Sequence, residues 1–303
     1  MTGQSCRARR LIGMLLNGIL ISLLAALLYQ NQHYLPLIAH AFTPGILGGA
    51  FLFYLLSLLI QFWVWMSLMD YREGERSRAL DEYIRTIFLG RLPGGLWKLV
   101  GRMTVYRAPR LSSKEIVFIN LVEIGLALSA CGLIMLSLAD VSWVRWLLGL
   151  GAMLTVLVGL SVWVTRLLPQ LQQLRRVWSW LVWLGAYIGS WLCGSVIVYL
   201  VVSTFEPSIG FSTTLSAWCI AGAAGLVFQV LPLSVLIRDA TLAGLLQGAM
   251  PLSMAIVAAF AVRLIMMLCE LGAGWLLIGL SYIYQRLSSA RQPLVSNGEI
   301  QTD

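Results

Sequence analysis

Arg102, Glu123, Arg238, Asp239, Arg263 and Glu270 stand inside or beside apolar stretches of this 303-residue sequence. A charge at the centre of a spanning helix costs about 2.5–3.5 kcal/mol on insertion, so such residues pair with one another or serve a function. Arg263 and Glu270 are seven residues apart, which places them on one helix face two turns from each other. Two prolines precede the arginines: Pro93, followed by Gly94 and Gly95, before Arg102, and Pro232 before Arg238. Proline suits the first turn of a helix, and the positive end of that helix favours an anion. Gly94 and Gly95 would let backbone N–H groups approach such an anion closely. Two half-helix N-termini with two or three arginines make a place for a phosphate. The plainer alternative is that these charges only pair and hold a bundle together, with Glu123 and Glu270 as natural partners for arginine.

Other chemistry finds little support. There is no nucleophile–base pair, no metal-ligand cluster and no acidic pair on an aqueous loop, so neither an enzyme nor a cofactor is expected. Cys6, Cys131, Cys193, Cys219 and Cys269 form no CxxC, and the last four lie in apolar runs as small buried hydrophobes. His33 and His40 share one loop without a carboxylate or thiol partner, which points to an exposed loop and not a metal. The net charge of +8 does not indicate nucleic acid, because Lys and Arg fall in short segments between apolar runs.

Stepping outward to the elements that must carry these residues, 59% of the chain is hydrophobic and 11% charged. A soluble domain has about 25% charged residues, so lipid must replace water over most of this surface. One all-α integral membrane domain over residues 1–291 is expected, with Gln292 to Asp303 as a disordered polar tail. A bilayer core of about 30 Å needs about 20 apolar residues per helix. Spans are expected over Leu11–Tyr29, Ile46–Met69, Ile116–Ala139, Trp146–Arg166, Val177–Ser203 and a long Leu252–Gln285. The first is expected to be retained and not cleaved as a signal peptide, since no A-x-A site follows it. About half of the 21 Lys and Arg lie between Arg72 and Lys114, and Arg166–Arg176 and Arg286–Arg291 are also basic. Asn31–Pro44 and Thr204–Ser212 hold none. The positive-inside rule then puts both termini in the cytoplasm of a multi-pass plasma (inner) membrane protein.

Two stretches do not fit as spans. Leu80–Tyr106 breaks at Leu92-Pro93-Gly94-Gly95, and Thr213–Gly248 breaks at Leu231-Pro232. The flanks of the first, Arg72–Arg78 and Arg107–Lys114, are both basic, which favours a re-entrant helical hairpin over a kinked span. Ala221-Gly222-Ala223-Ala224-Gly225 in the second allows close helix packing. Glu123 lies ten residues beyond Ser113, and Arg263 ten beyond Ser253. The expected architecture is therefore about six transmembrane helices plus two re-entrant hairpins, arranged as an inverted repeat.

Leu92-Pro93-Gly94-Gly95-Leu96-Trp97 with Gly101-Arg102 and Glu123 resembles the first motif of the flippase-like family named for the transmembrane region of lysylphosphatidylglycerol synthase. Leu231-Pro232 with Arg238-Asp239, Arg263 and Glu270 resembles its second. The likeness covers about Met69 to Leu280. It departs at Ser234 and Leu236, where the family has glycines, and at Asp239, where it has glutamate. The aminoacyltransferase domain of the founding members is absent, so lysyl transfer is not implied. The resemblance implies translocation of an anionic phospholipid or polyprenyl-phosphate-linked lipid. From the residues themselves, the alternative is a membrane scaffold for a glycosyltransferase or other lipid-modifying enzyme, using GxxxG-like pairs at Gly45/Gly49 and Gly185/Gly189.

Overall fold

A computed structural model of the chain describes residues 34–69, 82–83, 86, 96–105, 112–138, 177–229, 231 and 234–290. Among these the chain is helical without strands, as expected where lipid cannot satisfy a backbone N–H or C=O. The helices are α1 (Leu35–Ala41), α2 (Pro44–Leu68), α3 (Leu96–Val105), α4 (Ser113–Leu138), α5 (Val177–Val202), α6 (Phe211–Val227), α7 (Ser234–Leu246) and α8 (Leu252–Ala290). Four of them, α2, α4, α5 and α8, are long and apolar enough to cross a membrane. The expected spans Leu11–Tyr29 and Trp146–Arg166, the Pro93 break and the polar tail lie outside the described residues, as do His33 and Cys6. His40, expected in a loop, is an exposed residue in the last turn of α1.

Local chemistry starts the helices where the sequence allows. Pro44 opens α2, where its missing N–H costs nothing. Ser112 and Glu115 cap α4 reciprocally: the Ser112 backbone N–H donates to Glu115 Oε2 at 2.6 Å, and the Glu115 N–H donates to Ser112 Oγ at 3.3 Å. Helices α6 and α7 pack on one another across the short connection 228–233. With 17 and 13 residues, they reach only about 26 and 20 Å, less than a hydrocarbon core of about 30 Å.

Small residues let the helices close on each other. A β-carbon at Gly49 would lie 3.2 Å from Leu200 Cδ1, and one at Gly189 3.7 Å from Ile60 Cδ1. Both glycines therefore serve the internal contact of α2 with α5. Hydroxyls fasten the same seam, with Ser57 and Ser190 2.8 Å apart and Gln61 donating to Ser190 Oγ at 3.0 Å. Buried Cys131 donates its thiol to the Cys219 carbonyl at 3.2 Å, tying α4 to α6. Cys131, Cys193, Cys219 and Cys269 are all buried free thiols.

Two apolar cores result. One surrounds Met254–Cys269 of α8 with Ile197–Val202 of α5 and Leu242–Leu246 of α7. The other joins Val64–Leu68 of α2, Ile116–Leu126 of α4 and Trp180–Leu184 of α5 to Ala273 and Leu277 of α8. Trp191 packs against both.

Candidate functional site

The short helix α3 carries Arg102 into the second core, where the side chain is 0% exposed. Its Nη1 donates to Asn120 Oδ1 at 2.6 Å and to Glu123 Oε2. The guanidinium carbon sits 3.7 Å from the centroid of the Trp65 ring, a desolvated cation–π contact. Asn120 and Glu123 are three residues apart on α4 and so share one face. Tyr187 of α5 faces the Glu123 carboxylate and Tyr83 packs close by. Arg102 lies in the last turn of α3, where the helix dipole favours a cation and not an anion. Its surroundings are consequently those of a sealed ion pair: one guanidinium, one carboxylate, an amide and aromatic walls.

The second cluster is assembled from α6, α7 and α8. Arg238 donates through Nε at 3.1 Å and Nη2 at 3.0 Å to Asp239 Oδ1. Arg263 Nε, from α8, lies 4.0 Å from the other oxygen, Oδ2. Two guanidinium groups thus share one carboxylate, leaving one net positive charge. The side chains of Arg238, Asp239 and Arg263 stay 22%, 24% and 26% exposed. Arg263 is the twelfth residue of the 29-residue apolar stretch Leu252–Leu280, so this charge sits near the middle of the helix that carries it. The Arg238 stem lies along α6: a β-carbon at Gly225 would be 3.2 Å from Arg238 Cβ. Its guanidinium carbon is 5.4 Å from the Trp218 ring centroid.

Trp218 and Trp191 pack edge to face, with centroids 6.4 Å apart. Trp191 Nε1 donates to the Ala127 carbonyl of α4 at 2.9 Å, one turn beyond Glu123. Glycine makes room for both rings. A β-carbon at Gly222 would fall 2.3 Å from the Trp191 ring, and one at Gly194 2.6 Å from Trp218 Nε1. No real contact is that short, so each ring occupies the volume of a missing side chain.

The candidate residues thus separate into two groups. Arg102 and Glu123 form the buried pair, and Arg238, Asp239 and Arg263 form the accessible one. Glu270 is partly buried on α8, about 10 Å along the axis from Arg263. Pro93, Gly94, Gly95 and Pro232 lie outside the described residues. Trp65, Asn120, Tyr187, Trp191 and Trp218 are additional site residues that the spacing argument missed. A polar Asn120 three residues before Glu123 was a legible signal, because both break the apolar pattern on one face. No family model, curated protein or solved structure matches this chain. The site therefore rests on its own geometry: a fixed, partly accessible, singly positive cluster set in an apolar surround.

Proposed function

We propose that the chain is a multi-pass plasma (inner) membrane transporter of the flippase type, with both termini cytoplasmic and six spans plus two re-entrant hairpins. It moves an anionic phospholipid or polyprenyl-phosphate-linked lipid between leaflets. The observation that carries this reading is the sharing of Asp239 by Arg238 and Arg263, which leaves a partly accessible positive charge beside the short hairpin α6–α7. Such a charge is expensive in lipid unless an anion answers it. A phosphate headgroup answers it while the acyl chains remain among the exposed apolar side chains. Broken helices that meet at such a site recur in transporters, where one repeat moves against the other. The likeness of the Pro93–Glu123 and Pro232–Glu270 segments to the flippase-like family supports the same class.

In this mechanism Arg238 and Arg263 hold the phosphate and Asp239 fixes their guanidinium planes. The α6–α7 hairpin, resting on Trp218 and Trp191, moves to present the site to either leaflet. The scaffold alternative loses its glycine motif, since Gly49 and Gly189 are filled by Leu200 and Ile60 within the chain.

Reconstitution tests the reading. In liposomes carrying a tail-labelled phosphatidylglycerol, the wild-type chain should exchange lipid between leaflets, and Arg238→Ala and Arg263→Ala should slow it at least tenfold. Equal rates for wild type and both variants would remove the site assignment.

A further inference from the structure

We infer that the headgroup accepted at Arg238 and Arg263 is a phosphodiester with one negative charge, not a phosphomonoester or diphosphate. This rests on the lipid-transport reading above and deepens it by naming the substrate class. The basis is charge stoichiometry. Within hydrogen-bonding or ion-pair distance, the cluster holds two guanidinium groups and one carboxylate. The Arg102–Glu123 pair is buried elsewhere and balanced within itself. Glu270 is about 10 Å away along α8, beyond the reach of a phosphate seated at Arg263.

One residual positive charge in a low-dielectric site is neutralised by one negative charge. A second negative charge would remain uncompensated, and uncompensated charge in such surroundings is the costly case. A phosphomonoester carries about 1.5 to 2 negative charges at neutral pH, whereas a phosphodiester carries one. Asp239 sharpens the choice by repulsion, because it faces any anion that the arginines attract. It also takes the Nε and Nη2 positions of Arg238, which leaves the Nη1 corner to meet a phosphate oxygen. A second guanidinium, Arg263, is held 4.0 Å from the same carboxylate, so two cations converge on one small anion. The two non-bridging oxygens of a phosphodiester match that number.

Phosphatidylglycerol and phosphatidic acid with identical labelled acyl chains separate the cases, since they differ in the headgroup alone. In liposomes bearing the full-length chain at pH 7.5, phosphatidylglycerol should exchange at least tenfold faster than phosphatidic acid. Asp239→Asn raises the cluster to two net positive charges and should shrink that ratio at least fivefold. Phosphatidic acid exchanging as fast as phosphatidylglycerol in the wild type would overturn the inference while leaving lipid transport standing. The wild-type ratio needs no variant, so an unstable Asp239→Asn does not shelter the claim. A folded Asp239→Asn with an unchanged ratio would also overturn it. Movement of neither lipid would instead remove the transport reading beneath it. Escape of trapped glycerophosphoglycerol without lipid movement would assign the anion site to a small-molecule transporter and overturn the lipid class.

Discussion

Arg102 and Arg238 begin from similar sequence contexts, each a few residues beyond a proline break and each on a short helix. Their environments diverge. Arg102 is fully buried, and the Glu123 carboxylate, the Asn120 amide and the Trp65 ring surround it. Arg238 keeps 22% of its side chain exposed and shares a single acid with Arg263. The polarity of the interhelical pair is also reversed. In the first region the short helix supplies the base and the long helix the acid. In the second, Asp239 sits on the short helix and Arg263 on the long one. The same layout therefore yields a neutral, sealed joint at one place and a charged, open one at the other. Location beside a broken helix does not make an arginine a ligand site; an excess of charge together with access does.

This contrast is breakable in order of expected size. Glu123→Leu strands the Arg102 guanidinium in an apolar core and should cost about 3–5 kcal/mol, read as a collapse of the thermal transition in detergent. Arg102→Leu combined with Glu123→Leu should recover most of that loss, since a dry hydrophobic pair replaces a charged one. Failure to recover would mean that the first pair is more than a joint. Next, Gly222→Ala forces a methyl group into the Trp191 ring, and overpacking of this kind costs about 1–3 kcal/mol. Melting of Gly222→Ala at the wild-type temperature would show that the ring does not occupy that notch. Arg238→Ala inverts the logic. Its pair is partly exposed, so the stability change should stay within about 1 kcal/mol, while lipid exchange falls at least tenfold. A large drop in melting temperature would place the second cluster beside the first as structure. The smallest effect belongs to Gly185→Ala, where a β-carbon meets nothing within 4 Å. Its melting temperature should match wild type, with a change within about 0.5 kcal/mol.

The spans were legible because few alternatives exist for a long apolar run in lipid. Ile46–Met69 is expected from the sequence and Pro44–Leu68 is found; for Val177–Ser203, Val177–Val202 is found. The break expected at Leu231-Pro232 falls between the end of α6 at Val227 and the start of α7 at Ser234. The pairing of charges was less legible. Glu123 and Arg263 hold matching positions in the two segments, yet each finds its partner on the preceding short helix, at Arg102 and Asp239. Spacing along one helix cannot register a contact supplied by another. Aromatic neighbours were silent for a different reason. In a soluble helix the buried face stands out against polar residues, but here core-facing and lipid-facing positions are both apolar. Trp65, Trp191 and Trp218 therefore carried no contrast, and only the glycines opposite the last two hinted at a docking partner.

Helix α8 has 39 residues in one continuous run, about 58 Å of rod against a hydrocarbon layer of about 30 Å. At least one end must stand clear of the lipid tails. Arg263 and the C-terminal end of that rod at Ala290 are separated by about 40 Å of unbroken helix. A tilt of about 10° around Arg263 would sweep the end through ~7 Å, by the same rise per residue. Occupancy of a site in the middle of the bilayer can thus be converted into displacement at the water's edge, as a pointer shows the turning of its shaft.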